Sequence, residues 1–378
     1  PPNSGFLLSI LLGVSLGAGD LADRGRPALR TFGSQEGVPT LTLNGLALDE
    51  LGRLWVAGRE GPARFNGKSW TALELPFSGT SSAPRSVLRS SDGALWFGTQ
   101  DAGLWRLQDG KWTAFRPDTG FPHNRINAVL ETRDHTLWAA TGGGGLVHYA
   151  QGAWRREEGL SQPWIWKVYE GQDGTLWAAT QKGLFRRRGQ LWTKVPGLPD
   201  PEVNDILEVP DARGHRTLWV CLWGKGLAAW DGRAWAFHTR ARGFPSRLAT
   251  SLATTTDAAG RHTLWVGTYD AGLAYFKGEK WRVLDQDHGF PAEGVYALLP
   301  DPQSRSGLWV GTRGQGLIHV DPGAWVTLDA TAGLPSSEVT ALAETQSEGR
   351  SVLWLGTNRG LARLGEEGQR HGSTELPD

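Results

Sequence analysis

Leu264-Trp265-Val266-Gly267-Thr268, followed by Gly272-Leu273, is one copy of a pattern that recurs along the whole 378-residue chain. The tryptophan of the Leu-Trp pair stands at Trp55, Trp96, Trp138, Trp177, Trp219, Trp265, Trp309 and Trp354, with separations of 41, 42, 39, 42, 46, 44 and 45 residues. A short apolar segment ending in small residues suits a strand that a neighbouring backbone approaches closely. Just upstream lie turn signals such as Asp92-Gly93, Asp173-Gly174 and Asp257-Ala258-Ala259-Gly260. They suit a tight hairpin from a preceding apolar strand such as Ile126-Asn127-Ala128-Val129-Leu130.

Downstream, a Gly-Leu step opens a third strand at Gly103, Gly145, Gly183, Gly226, Gly272, Gly316 and Gly360. A second tryptophan marks a fourth at Trp70, Trp112, Trp154, Trp192, Trp235, Trp281 and Trp325. Gly-[Phe/Leu/Val]-Pro segments, as at Gly243-Phe244-Pro245, separate the units, because proline has no N–H for a central strand. No sustained helical period follows the first residues, so the chain reads as all-β.

Repeats of 39 to 46 residues with four strands each are blades of a β-propeller. Each buried tryptophan removes roughly 150 to 250 Å² from water, about 4 to 6 kcal/mol as an upper estimate. A single blade has nothing to cover that face, whereas a ring of blades covers every one. Eight Leu-Trp pairs favour eight blades. Ala28-Leu29-Arg30-Thr31-Phe32 reads as an orphan fourth strand that closes the eighth unit, which lacks a closing tryptophan. The alternative is a seven-bladed ring with a surplus unit. The expected layout is a signal segment or leader over 1–27, the propeller over 28–365, and a tail or further repeat over 366–378.

Composition narrows the function. Thirty-nine basic residues balance 39 acidic ones, so no net field draws the chain to nucleic acid. The lone Cys221 rules out an internal disulfide framework. Phe6 to Gly19 is an apolar stretch of signal-peptide length, which points to export. The nine histidines have no HxH or HxxxH spacing, and no phosphate or dinucleotide fingerprint stands between a strand and a helix, so no metal or cofactor is expected.

The combination at Trp309, Gly316 and Gly333, Leu-Trp-Val-Gly-Thr then Gly-Leu then Gly-Leu-Pro, resembles the two-component regulator propeller repeat. The resemblance covers about residues 28 to 365. It implies an extracytoplasmic sensor region of a membrane-bound signalling protein, periplasmic or extracellular, often one that senses carbohydrate. It supplies no ligand residues, because the family motif is structural. No immunoglobulin-like, kinase or receiver segment follows, so any output lies outside this sequence.

The ligand is therefore sought at the face carrying the loops between strands two and three and the connectors between blades. That placement puts Arg59, Gln100, Asp101, Gln181, Lys182, Trp223, Tyr269, Asp270, Arg313, Asn358 and Arg359 around one mouth. Asn127, Trp164, Trp166, Asn204 and Tyr296 join from connectors and inner strands. Trp164, Trp166 and Trp223 fall outside the repeated tryptophan positions, and aromatic faces beside amides and guanidiniums suit sugar rings or a peptide. The expected partner is a small molecule, oligosaccharide or peptide bound without catalysis. The rivals are a protein-binding scaffold and a polysaccharide hydrolase or lyase using carboxylates such as Asp101, Asp205 and Asp270.

Overall fold

A computed structural model describes residues 26–76, 83–160, 164–199, 202–211, 214–277, 280–304, 306–327, 335–336, 338–347 and 350–364. The described residues are almost wholly β, in seven four-stranded sheets and one three-stranded sheet. The leader up to residue 25 and the tail from 365 lie outside them.

Every repeat forms an antiparallel meander. In the second, strands Pro84–Arg89, Leu95–Thr99, Leu104–Gln108 and Lys111–Phe115 pair in sequence order. The Leu-Trp strand is the second of each blade, as the hairpin signal requires. Its terminal threonine then closes the next loop: Thr99, Thr141, Thr268 and Thr312 each donate their Oγ1 hydroxyl to the carbonyl of the glycine opening strand three, at 2.7 to 2.8 Å. That bond gives the loops at one face of the ring a common shape.

The inner strands touch in cyclic order: Leu43–Leu48, Pro84–Arg89, Ile126–Glu131, Ile165–Glu170, Val203–Pro210, Ala249–Thr256, Val295–Pro300, and back to Leu43–Leu48. The ring therefore closes at seven. These inner strands begin blades 1 to 7 in that order. Each Leu-Trp indole of blades 1 to 7 lies on the seam with the following blade. Trp138 packs with Val168 and Trp192 of blade 4, Trp219 with Leu252 of blade 6, and Trp265 with Val295 and Val310 of blade 7. At the last seam Trp309 of blade 7 packs with Leu43, Leu54 and Phe65 of blade 1.

The N-terminal strand Arg26–Phe32 does not complete the eighth unit. It supplies the fourth strand of blade 7, at the outer edge of Leu317–Thr327. The glycines show the equivalence. A Cβ at Gly316, where φ is +73°, would strike the carbonyl of Phe32, just as one at Gly103, Gly226 or Gly272 would strike the carbonyl of Phe115, His238 or Leu284. Phe32 thus holds the place that the end of strand four holds in blades 2, 5 and 6. The physical reason is that Leu317–Thr327 runs straight through Asp321-Pro322-Gly323 instead of turning there, so Trp325 marks no separate fourth strand and that edge stays open.

The compact unit containing this ring is Leu29–Asp321, shorter than the 28–365 expected for an eight-bladed ring. The eighth repeat folds as Val339–Ser347, Arg350–Thr357 and Gly360–Leu364, a three-stranded sheet that belongs to the second unit.

The seam between blades 3 and 4 holds a buried carboxylate. Glu157, 5% exposed, accepts from Trp192 Nε1 at 3.2 Å, and its two oxygens lie 3.2 Å from Arg187 and 3.0 Å from His148. Glu157→Leu strands these groups between blades 3 and 4, and a loss of about 3 kcal/mol is expected in urea unfolding. Glu157→Gln keeps an acceptor for the indole and should lose less.

Candidate functional site

The seven inner strands enclose a central cavity of about 820 Å³. Two repeated positions shape it. The first is the residue following strand two: Arg59, Gln100, Gly142, Gln181, Trp223, Tyr269 and Arg313. Each donates its backbone N–H to the carbonyl of the residue just before its own blade's inner strand, at 2.9 to 3.1 Å. Seven equivalent backbones thus stand around one end of the cavity, and only the side chains differ.

The second is the second residue of each inner strand: Asn44, Arg85, Asn127, Trp166, Asn204, Thr250 and Tyr296. Asn44 and Asn127 donate their side-chain amides to Pro84 O and Ile165 O of the next blade, at 2.9 and 2.8 Å. Thr250 donates its hydroxyl to Val295 O at 2.5 Å. These bonds cap carbonyls on inner-strand edges that no further strand pairs. Asn127 Oδ1, Asn204 Oδ1 and Trp166 Nε1 are buried without a protein partner, leaving both donors and acceptors at the wall.

The cavity is lined by Arg59, Gln100, Asn127, Trp166, Asn204, Trp223, Tyr269 and Tyr296 among the residues expected from sequence. Trp164 stands beside it, its ring 5.3 Å from that of Trp166 and 5.0 Å under the Arg125 guanidinium. Arg313 is likewise peripheral, donating to the Tyr269 hydroxyl at 2.9 Å with its charge 4.4 Å over that ring. Asp101, Gln181, Lys182 and Asp270 are exposed and do not line the cavity. Asp270 instead accepts from Ser246 Oγ and pairs with Arg240 at 3.6 Å. Asn358 and Arg359 follow Arg350–Thr357 in the three-stranded sheet, outside the seven-bladed unit, because the ring closes one repeat earlier. Asn44, Arg85, Lys167, Glu202 and Thr250 line the cavity unforeseen.

Aromatic groups form one wall. Trp223 meets Tyr269 edge-on at 5.9 Å, and Tyr269 faces Tyr296 at 6.3 Å. Burial, then the neighbouring Tyr269, raises the Tyr296 pKa above the ordinary phenol value, while Arg313, Arg85 and Arg59 act in the opposite sense. Asp205 is committed to the scaffold. It accepts from Ile206 N at 2.8 Å and, across the seam, from Leu252 N at 2.9 Å, and Lys167 Nζ lies 3.1 Å away. Among the described residues no group of three or more His, Cys, Asp or Glu side chains is placed to hold a metal ion, and no helix is long and apolar enough to cross a membrane.

The extracellular domain of a putative hybrid two-component system from B. thetaiotaomicron has a similar structure, with a TM-score of 0.69 at 18% identity over 90% of this chain. The chain spans about half of that domain, 48% of its length. Virginiamycin B lyase from Staphylococcus aureus, crystallised as an inactive variant with quinupristin, superposes with a TM-score of 0.59 at 14% identity, over 78% of this chain and 99% of its own. YCF48 bound to a D1 peptide gives 0.58 at 15% identity, over 78% and 96%. At such identities these likenesses establish the propeller architecture alone. No curated protein matches the chain in sequence. Residues 120–143, which span the connector, inner strand and Leu-Trp strand of blade 3, match the two component regulator propeller model. The matched segment is one copy of the pattern that this chain writes eight times, so the chain carries the two component regulator propeller repeat at blade 3 and resembles it in the others.

Proposed function

We propose that the seven-bladed unit is a noncatalytic recognition propeller, the ligand-sensing part of an extracytoplasmic signalling protein, and that its cavity takes a small ligand such as an oligosaccharide. The observation that carries this reading is the cavity itself. Its volume of about 820 Å³ suits a small ligand, and amide, guanidinium and aromatic groups from every blade converge on it. The family match and the extracellular domain of similar fold support a sensing role outside the cytoplasm. Trp166 and Trp223 offer ring faces of the kind that stack on sugars.

The lyase of similar fold makes catalysis the reading to test against. Against it, Asp205 already holds two backbone N–H groups and an ammonium, and Asp101 and Asp270 lie off the cavity. A pair of free carboxylates flanking a scissile bond is what sugar hydrolysis needs.

The test is a thermal-shift screen against a glycan panel, followed by calorimetry and product analysis. A glycan is expected to raise the melting temperature without being consumed. Trp166→Ala and Trp223→Ala are each expected to weaken its binding at least tenfold, about 1.4 kcal/mol. Turnover of any panel member, lost in Asp101→Asn or Asp270→Asn, would favour the enzyme instead.

A further inference from the structure

The arginines about the cavity are not distributed as the scaffold requires. At the second position of the inner strands, five of the other six blades carry a neutral amide, hydroxyl or indole, and the sixth carries Tyr296. Arg85 alone is cationic there, and it does not span the seam as Asn44, Asn127 and Thr250 do. It turns back to its own blade, where Nη1 donates to Gln100 Oε1 at 2.7 Å. After strand two, Gln100, Gln181, Trp223 and Tyr269 show that the loop tolerates neutral side chains, yet Arg59 and Arg313 stand at that place in blades 1 and 7. Arg125, just before the inner strand of blade 3, adds a fourth cation, its Nε 3.2 Å from Gln100 O.

Blades 7, 1, 2 and 3 are consecutive around the ring, so the four guanidiniums form one arc. Elsewhere arginines find acids, as Arg53 does with Asp49 at 2.6 Å and Arg106 with Asp92 at 2.6 Å. Among the described residues none of the four lies within 4 Å of a carboxylate; Arg85, Arg125 and Arg313 donate to an amide, a backbone carbonyl and a phenol respectively. The connector 77–82, ahead of the Arg85 strand, contains no acidic residue. The acids that line the cavity, Glu202 and Asp205, come from blade 5, and Asp205 is neutralised by Lys167.

Arg59, Arg85 and Arg313 all act on the Tyr296 phenol, so their fields overlap at one place. Burial, and then the Arg125 charge, also hold the Arg85 pKa below the ordinary arginine value. Arg85 and Arg125 are half-buried and Arg59 and Arg313 exposed; like charges gathered without a counter-ion oppose folding, and such a cluster is what a bound anion relieves. The planar fork of arginine matches a carboxylate or sulfate with two parallel hydrogen bonds.

Resting on the recognition reading above, we infer that the cavity binds an acidic saccharide, whose carboxylate or sulfate sits between Arg85 and Arg59 while its ring lies toward Trp166 and Trp223. The arginine arc fixes the charged group, and the aromatic wall takes the sugar face.

Calorimetric titration of the whole chain tests this with four probes: galacturonate di- and trisaccharides, the corresponding neutral galactose oligomers, sodium sulfate, and a triglutamate peptide. The galacturonates are expected to bind, with affinity falling as salt rises. Arg85→Gln and Arg59→Gln should each cost tenfold or more, and Arg85→Lys, which keeps the charge but not the fork, an intermediate amount. Melting temperatures no lower than the parent's show that the variants are folded, and Arg53→Gln, altered away from the cavity, should bind as the parent does. Neutral oligomers binding as tightly as the acidic ones would overturn the anion assignment while leaving the recognition reading in place. Triglutamate binding in preference to every sugar would overturn the saccharide assignment, and sulfate alone matching the galacturonates would remove the aromatic wall from it. Binding of no probe, with no effect of either arginine variant, would reject the proposal.

Discussion

Phe32→Ala is expected to destabilise the protein by about 3 to 4 kcal/mol, the cost of deleting a large aromatic from a packed interior. Phe32 is 4% exposed and meets Phe65 of blade 1 edge-on at 5.0 Å and Trp309 of blade 7 at 6.1 Å. Chain connectivity joins every other seam; this one is joined by the strand that carries Phe32. The substitution therefore removes apolar burial and loosens the strand that ties the first and last blades of the ring together, beside the inner-strand and Trp309 contacts at that seam. Urea unfolding measures the loss. Phe115→Ala, at the corresponding place in blade 2, leaves the closure intact and gives the packing contribution for comparison. Gly316→Ala should repeat the effect from the facing strand, because its methyl group meets the Phe32 carbonyl and its φ of +73° disfavours a side chain. If Phe32→Ala costs less than 1 kcal/mol, the strand is not holding the ring.

Trp265→Ala is expected to cost about 4 kcal/mol. At 2% exposure Trp265 is the largest fully buried side chain, on the seam between blades 6 and 7. Its Nε1 donates to Thr255 Oγ1 at 2.8 Å, and Tyr275 lies 5.0 Å from its ring. Alanine leaves both a cavity and a buried hydroxyl without its donor, and the two losses add. Trp265→Phe refills much of the space but not the bond, so roughly half the loss should return. Equal stability of the two variants would show that the indole is not the wedge between the sheets.

The seams are the most legible feature of this sequence. A blade must bury one large side chain against its neighbour, so the Leu-Trp pair returns at every repeat and its spacing states the architecture directly. The site of closure is much less legible. The seventh and eighth repeats both lack an evident fourth strand of their own once Leu317–Thr327 runs on without a turn, and Asp321-Pro322-Gly323 with Trp325 imitates the turn and tryptophan of the other blades. Nothing local distinguishes which open edge Arg26–Phe32 will join, because that is decided by where the chain returns in space.

The cavity divides in the same way. Arg59, Gln100, Trp223 and Tyr269 can be placed at the mouth because each directly follows the Leu-Trp strand, whose end is unmistakable. Asn127, Trp166, Asn204 and Tyr296 share the second position of the inner strand, and the same register yields Asn44, Arg85 and Thr250. Thr250 hides in a run of small residues and Arg85 follows a proline, so neither reads as part of a repeated wall. Asp101, Lys182 and Asp270 fail for a different reason: each stands one residue farther along the loop, exposed and off the cavity.

A crystal structure of the protein with the saccharide that gives the largest thermal shift tests the central claim most directly. The account places the sugar inside the ring, its ring plane toward Trp166 and Trp223 and its acidic group within hydrogen-bond reach of Arg85. A ligand seated on the outer edge of a blade, with the cavity side chains unmoved, would contradict it.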